Sequence, residues 1–213
     1  MRAVTWYFDF ISPYSYFGLN ALKRLPADVA VDYQPVLFAG LLNHWGQKGP
    51  AEVPPKRIWT LRSCIWWARQ NNVPFRFPAA HPFNSLPYLR LSIAAGNSPD
   101  AIQKIFAALW TTGCNPADPK VISGLAASLR VSLNRIADAD VKNALRDATA
   151  KAVQRDVFGV PSLCIDEHVF WGNDAVDFAA AYLADPGILA TDEIKRADSL
   201  PIGVSRPGIS GSP

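Results

Sequence analysis

The segment Ser12-Pro13-Tyr14-Ser15 follows Trp6-Tyr7-Phe8-Asp9-Phe10-Ile11 and places a hydroxyl where a strand-like run gives way to a helix. Pro13 suits the first helical turn, where its missing N–H is no loss. A residue just ahead of a helix faces unpaired backbone N–H groups and the positive end of the helix dipole. That setting favours an anion, and it is where a Cys has its pKa lowered. A Ser hydroxyl cannot exchange disulfides, but it can donate a hydrogen bond to a thiolate carried by another molecule. One charge-assisted hydrogen bond contributes ~1.5–3 kcal/mol. That is enough to lower a thiol of ordinary pKa, about 8.5, by about one to two pKa units. The plainer role for Ser12 is helix capping alone, which Ser often performs.

A second segment gives Ser12 a partner. Gly159-Val160-Pro161-Ser162 precedes a short apolar run. A cis peptide at Pro161 would make a tight turn and leave the backbone N–H and C=O of Val160 free to pair with an extended peptide. An ordinary trans proline in a loop is the alternative. A strand running into a helix that opens X-Pro-x-X, with a later Val-Pro before another strand, is the skeleton of a thioredoxin-type site. Redox members carry Cys at both ends of the four-residue motif, and this chain carries Ser at both.

The elements that must hold these groups follow from periodicity. Residues 3–10 alternate as a strand, residues 14–25 carry Phe17, Ala21, Leu22 and Leu25 at helical spacing, and residues 29–36 read as a second strand. This order predicts a parallel βαβ unit. From 38 to 156 strand signals fade, and an all-helical insertion is expected. It has helices over 56–72, 85–95, 99–112, 119–129 and 138–156. In the first, Ile58, Leu61, Ile65 and Ala68 form one face, with Trp59, Ser63 and Trp66 beside it. Residues 162–165 and 168–171 form a hairpin, and 174–183 a closing helix. The expected fold class is α/β: a thioredoxin-like domain from residues 1–37 and 157–185, interrupted by the helical insertion 38–156. Residues 186–213, rich in Gly, Pro, Ser and Asp, are expected to be a loose extension.

Composition narrows the function. The 213 residues carry 21 basic and 18 acidic side chains, a formal charge of +3, with no run of like charge. No nucleic-acid stripe or basic membrane patch is present in that pattern. No apolar run approaches the ~20 residues needed to span a bilayer, and the start of the chain does not read as a secretory signal. Cys64, Cys114 and Cys164 form no CxxC and fit a reducing, cytoplasmic setting. His44, His81 and His168 lack metal-ligand spacing, so no metal is expected. Cys164 is expected to be an inert core residue.

Three motifs together carry a family resemblance: Phe8-Asp9-Phe10-Ile11-Ser12-Pro13-Tyr14-Ser15-Tyr16, Phe158-Gly159-Val160-Pro161 and Phe170-Trp171-Gly172-Asn173-Asp174. With Leu37–Leu41, Gly46-Gln47 and Val53-Pro54-Pro55-Lys56-Arg57, the chain resembles the 2-hydroxychromene-2-carboxylate isomerases, relatives of the kappa-class glutathione transferases. The resemblance covers residues 3–184. It implies a DsbA-type thioredoxin domain that binds glutathione and forms a homodimer. It puts Ser12 against the glutathione sulfur, and Val160, ahead of Pro161, against the cysteinyl backbone. Trp171, Gly172, Asn173 and Asp174 fall at the γ-glutamyl end, where Asp174 pairs with the ammonium. Lys56 meets a carboxylate. Gln47 stands where the kappa enzymes have Asn, and Ala175 replaces an Arg common after this motif.

The implied reaction converts 2-hydroxychromene-2-carboxylate to trans-o-hydroxybenzylidenepyruvate, a step of naphthalene-type aromatic catabolism, with glutathione as a borrowed nucleophile that is returned. A small aromatic carboxylate needs a flat apolar slot. Tyr14, Trp45, Trp59, Trp66 and Phe83 are candidate walls, and Asn84 could bond a substrate oxygen. Core packing is the commoner fate of such rings. Two other functions fit the same motifs: a kappa-like transferase that consumes glutathione, and a redox-inactive thioredoxin-fold protein that grips peptides.

Overall fold

The computed structural model describes residues 2–204. Strand β1 (Ala3–Phe8) pairs in parallel with β2 (Ala30–Pro35), and α1 (Pro13–Ala21) makes the crossover between them. β3 (Ser162–Ile165) pairs antiparallel with β1 and forms a hairpin with β4 (His168–Trp171). The sheet order is β2-β1-β3-β4. Between β2 and β3 run α2 (Phe38–His44), α3 (Pro54–Gln70), α4 (Leu86–Ala94), α5 (Pro99–Thr111), α6 (Pro119–Ser128) and α7 (Ala139–Gln154). α8 (Val176–Ala184) and α9 (Asp192–Asp198) follow the hairpin. This is a thioredoxin-type sheet with a helical insertion.

The period-two alternation of β1 divides the interior. Val4, Trp6 and Phe8 join the larger core, while Tyr7 faces a smaller one with Val36, Leu41, Ala148, Ala152, Val157 and Cys164. In the larger core Trp6 stacks on Phe8 at 4.6 Å, and Phe106 of α5 lies within 6.4 Å of Trp6, Phe8 and Phe10. Both faces of the central strand are therefore dry, and its C-terminal end is anchored where α1 begins.

Several boundaries differ from expectation for local reasons. α1 stops at Ala21 and tightens into a 3-10 turn over Leu22–Arg24, because Pro26 drives Leu25 into an extended conformation. α2 carries no periodic signal over its seven residues, and Gly46, at φ +60°, sits just beyond its end. Of the apolar face Ile58, Leu61, Ile65 and Ala68 of α3, only Ala68 is buried. Thr60, Cys64 and Ala68 pack inward, while Ile58, Trp59, Ile65 and Trp66 are 41–70% exposed. Small side chains let α3 approach the core closely; with apolar residues all round the helix, spacing could not choose the face. Beyond Pro186 the expected looseness gives way to a 3-10 turn over Pro186–Leu189, with Ile188 and Leu189 against the core, and then to α9. Residues 205–213 of that expected extension lie outside the described residues. No helix among the described residues is long and apolar enough to cross a membrane.

Candidate active site

Ser12 is the N-cap of α1. Its Oγ accepts a hydrogen bond from the Ser15 N–H at 3.2 Å, and Pro13 opens the helix. The hydroxyl proton is left over. Its nearest acceptor is the Val160 carbonyl, at a long 3.4 Å. Ser12 is only 7% exposed, so this proton lies in a largely water-excluded place at the positive end of a helix.

The chain on both sides of Ser12 is tied down. Ser12 N–H donates to the Asp9 carbonyl at 3.1 Å, and Ile11 N–H to the Asp9 carboxylate at 3.0 Å. Trp110 Nε1 donates to the Phe10 carbonyl at 2.9 Å, and His81 Nε2 lies 3.0 Å from the Ile11 carbonyl. A carbonyl only accepts, so Nε2 carries a proton. Burial, with the Arg57 charge nearby, lowers the pKa of His81 and favours the neutral ring.

Asp9 also accepts from the Phe38 N–H at 2.9 Å, which joins the Ser12 loop to the start of α2. Burial pushes this carboxyl up to about 6, against the backbone hydrogen bonds that pull it down. A carboxylate buried between Phe8 and Phe10 is costly unless it is hydrogen-bonded. That mismatch was visible in the sequence, and sequence reasoning did not use it.

Opposite α1, the Val160–Pro161 peptide is cis. Pro161 packs on α1 at Gly18, where an added Cβ would come within 3.1 Å of its Cγ. No hydrogen bond to the Val160 N–H is found among the described residues. Gly159 lies under the Trp171 indole, which a Cβ at that position would meet at 2.5 Å.

These walls enclose a cavity of about 640 Å3, within the range of small-molecule sites. It brings together Ser12, Tyr14, Gln47, Lys56, Phe83, Asn84, Val160 and Trp171 of the predicted residues. Asp9, Lys48, Glu52, Arg57 and His81 also line it and were not predicted. Arg57 sat in the Val53–Arg57 motif beside the chosen Lys56, and His81 stands close before Phe83 and Asn84 in the sequence. Burial raises the pKa of the Tyr14 phenol, which keeps it protonated.

The other predicted residues lie off the cavity wall. Pro161 is turned to Gly18, and its carbonyl accepts the Gly172 N–H at 2.9 Å. Gly172 has φ +109°, with the Asp174 carboxylate folded against it. The Asn173 carbonyl accepts from Arg24 at 3.5 Å, and Asp174 is exposed with no ion pair among the described residues. Trp45 donates through Nε1 to the Val157 carbonyl at 3.0 Å, outside the cavity. Trp59 and Trp66 point to solvent. A second, shallower groove of about 700 Å3 runs from Ile65 to Phe77 and holds none of these groups. Burial pushes the Cys64 thiol up to about 12 and the Cys164 thiol to about 11. All three cysteines are free.

The fold and the Ser-capped helix facing a Val-Pro turn define a thioredoxin-type domain without its redox thiols. The chain belongs to the DSBA-like thioredoxin domain family, whose match spans residues 3–184. It is 29% identical over 193 residues to a 2-hydroxychromene-2-carboxylate isomerase of Sphingobium xenophagum, covering 86% of this chain and 99% of that one. It is 27% identical over 209 residues to glutathione S-transferase kappa 2 of Caenorhabditis elegans, covering 87% and 93%. A solved 2-hydroxychromene-2-carboxylate isomerase superposes with a TM-score of 0.74 at 23% identity, over 92% of this chain and 98% of that one. Its likeness supports the fold. The sequence relatives are enzymes by name, and the similarity places this chain beside 2-hydroxychromene-2-carboxylate isomerases and kappa-class glutathione transferases.

Proposed function

We propose that the protein is a glutathione-dependent 2-hydroxychromene-2-carboxylate isomerase acting in aromatic hydrocarbon catabolism. The observation that carries this reading is the hydroxyl proton of Ser12, held only by a long bond to the Val160 carbonyl and buried at a helix N-terminus inside a cavity with apolar walls and cationic residues.

The residues fit the tripeptide. Val160 presents backbone groups to its cysteinyl unit, and Lys56 suits a carboxylate. Gln47 and Trp171 line the same space, and Asn173 and Asp174 follow Trp171 on the loop where the γ-glutamyl end would lie. When bound, glutathione supplies a thiolate that adds to the conjugated double bond of the ring-opened ketoacid and leaves again after rotation, so it is not consumed. Ser12 moves its hydrogen bond from the Val160 carbonyl to the sulfur and favours the anion there. Tyr14 and Phe83 provide the flat wall for the aromatic ring, and Asn84 an amide for a substrate oxygen. The hydrogen bonds on Ile11 and Phe10 keep Ser12 from drifting with the ligand.

Homodimerisation belongs to the same reading. Ile58, Trp59, Ile65 and Trp66 form the exposed apolar stripe that a second copy would cover, and sedimentation of Trp66→Glu against the parent protein tests it. A cytoplasmic site of action agrees with the free cysteines.

An ultraviolet time course with 2-hydroxychromene-2-carboxylate, counting thiol before and after, tests the central claim. Conversion that needs glutathione and loses none supports it. Conversion with equal loss of thiol replaces it with a kappa-like transferase, a reading that the Caenorhabditis elegans relative favours.

A further inference from the structure

Two carboxylates and three cations line the cavity. Both carboxylates have backbone partners: Asp9 holds the Ile11 and Phe38 N–H groups, and Glu52 holds the Gly49 N–H. Neither pairs with a cation among the described residues. Lys48 and Lys56 are exposed, whereas Arg57 is half-buried.

Arg57 is also fixed in place. Its Nη2 donates to the His81 carbonyl at 3.1 Å, and the His81 ring donates to the Ile11 carbonyl at 3.0 Å, one residue before Ser12. A chain of hydrogen bonds thus sets the guanidinium in a defined relation to the Ser12 hydroxyl. That one bond is the whole of its hydrogen bonding among the described residues, so the rest of its planar fork is unspent. Through His81, Arg57 is attached to the loop that carries Phe83 and Asn84, and all four residues line the cavity that Val160 and Trp171 also line. A half-buried guanidinium with an open fork recognises a carboxylate better than any neutral group.

We propose that Arg57 is the specificity-determining residue for the second substrate: it holds the carboxylate of an aromatic 2-oxo acid while the sulfur rests at Ser12. The inference deepens the function proposed above and rests on the cavity being the reaction site. It makes the natural electrophile an anion, so neutral aromatic enones bind without this contact. It separates the two cations of one motif, Lys56 for the tripeptide and Arg57 for the acid.

The test compares benzylidenepyruvate with its neutral counterpart benzylideneacetone. Calorimetric binding is measured with the protein alone and with S-methylglutathione, whose capped sulfur cannot add. The parent protein should bind the acid at least about 10-fold more tightly than the ketone. Arg57→Gln should lose about 10–100-fold for the acid, the range of one charge-assisted pair, with little change for the ketone or for glutathione. Arg57→Lys should restore part of the loss. Lys56→Gln should weaken glutathione and leave the preference for the acid intact. Equal binding of acid and ketone by the parent protein overturns the assignment. So does a preference that disappears in Lys56→Gln or Lys48→Gln instead, or an Arg57→Gln variant whose main defect is in glutathione binding. Failure of glutathione to bind the parent protein would sink the proposed function, and the comparison of acid with ketone would still decide Arg57.

Discussion

The two ends of the proposed glutathione site are built differently. Around Ser12, the carbonyls of Phe10 and Ile11 and the N–H groups of Ile11, Ser12 and Ser15 all have hydrogen-bond partners, supplied by Asp9, His81, Trp110 and Ser12 itself. The loop from Gly172 to Asp174 is held by one bond to the Pro161 carbonyl and a long one from Arg24, and its carboxylate faces solvent. In the proposed reaction, the densely hydrogen-bonded end is the one where charge changes, and the sparsely bonded end is the one that only grips the ligand. Pre-organised donors act on the reacting centre without reorganising, whereas an exposed ion pair contributes modestly to affinity.

If that contrast holds, Ser12→Ala should give the largest effect. Turnover should fall by about 100-fold or more, with glutathione affinity within a few-fold. The thiol of bound glutathione should titrate back toward about 8.5 in an ultraviolet difference titration. An unchanged thiol titration would remove Ser12 from thiolate control and leave it a cap. Asp174→Ala should do the reverse, weakening glutathione by about 10-fold or less with turnover at saturation preserved. An unchanged Kd would take Asp174 out of the site.

The smallest expected effect concerns how the rigid end responds to pH. Asp9 titrates near 6 in the fold against about 3.9 in an unfolded chain. The folded state therefore holds the extra proton between those values. The stabilisation is complete below about 4 and is lost as pH rises through about 6. Thermal melts should show Tm falling by roughly 5–10 °C over that range relative to Asp9→Asn, in which the slope should disappear. Parallel curves would mean that Asp9 is not the buried titrating group.

Much of this was legible in the sequence, and the limits are physical. Short apolar runs on either side of the polar pair Asp166-Glu167 placed the hairpin Ser162–Ile165 and His168–Trp171 to the residue. Ser12 was legible because Pro13 marks a first helical turn. The inward face of α3 was not, since Cys64 and Thr60 are smaller than the Trp and Ile residues beside them, and burial followed space rather than hydrophobicity. Arg57 and His81 gain their meaning from each other across 24 positions, a separation that no local period records.

Cys64 is packed against the core behind Tyr14, a wall of the cavity, and its thiol is held at about 12. At neutral pH its thiolate population is some thousandfold or more below that of a free thiol near 8.5. In the reaction proposed above, an electrophile admitted to the cavity meets the glutathione thiolate, a replaceable nucleophile, before it meets this cysteine. A runaway addition would cost the cell one molecule of tripeptide and leave the protein unalkylated at Cys64.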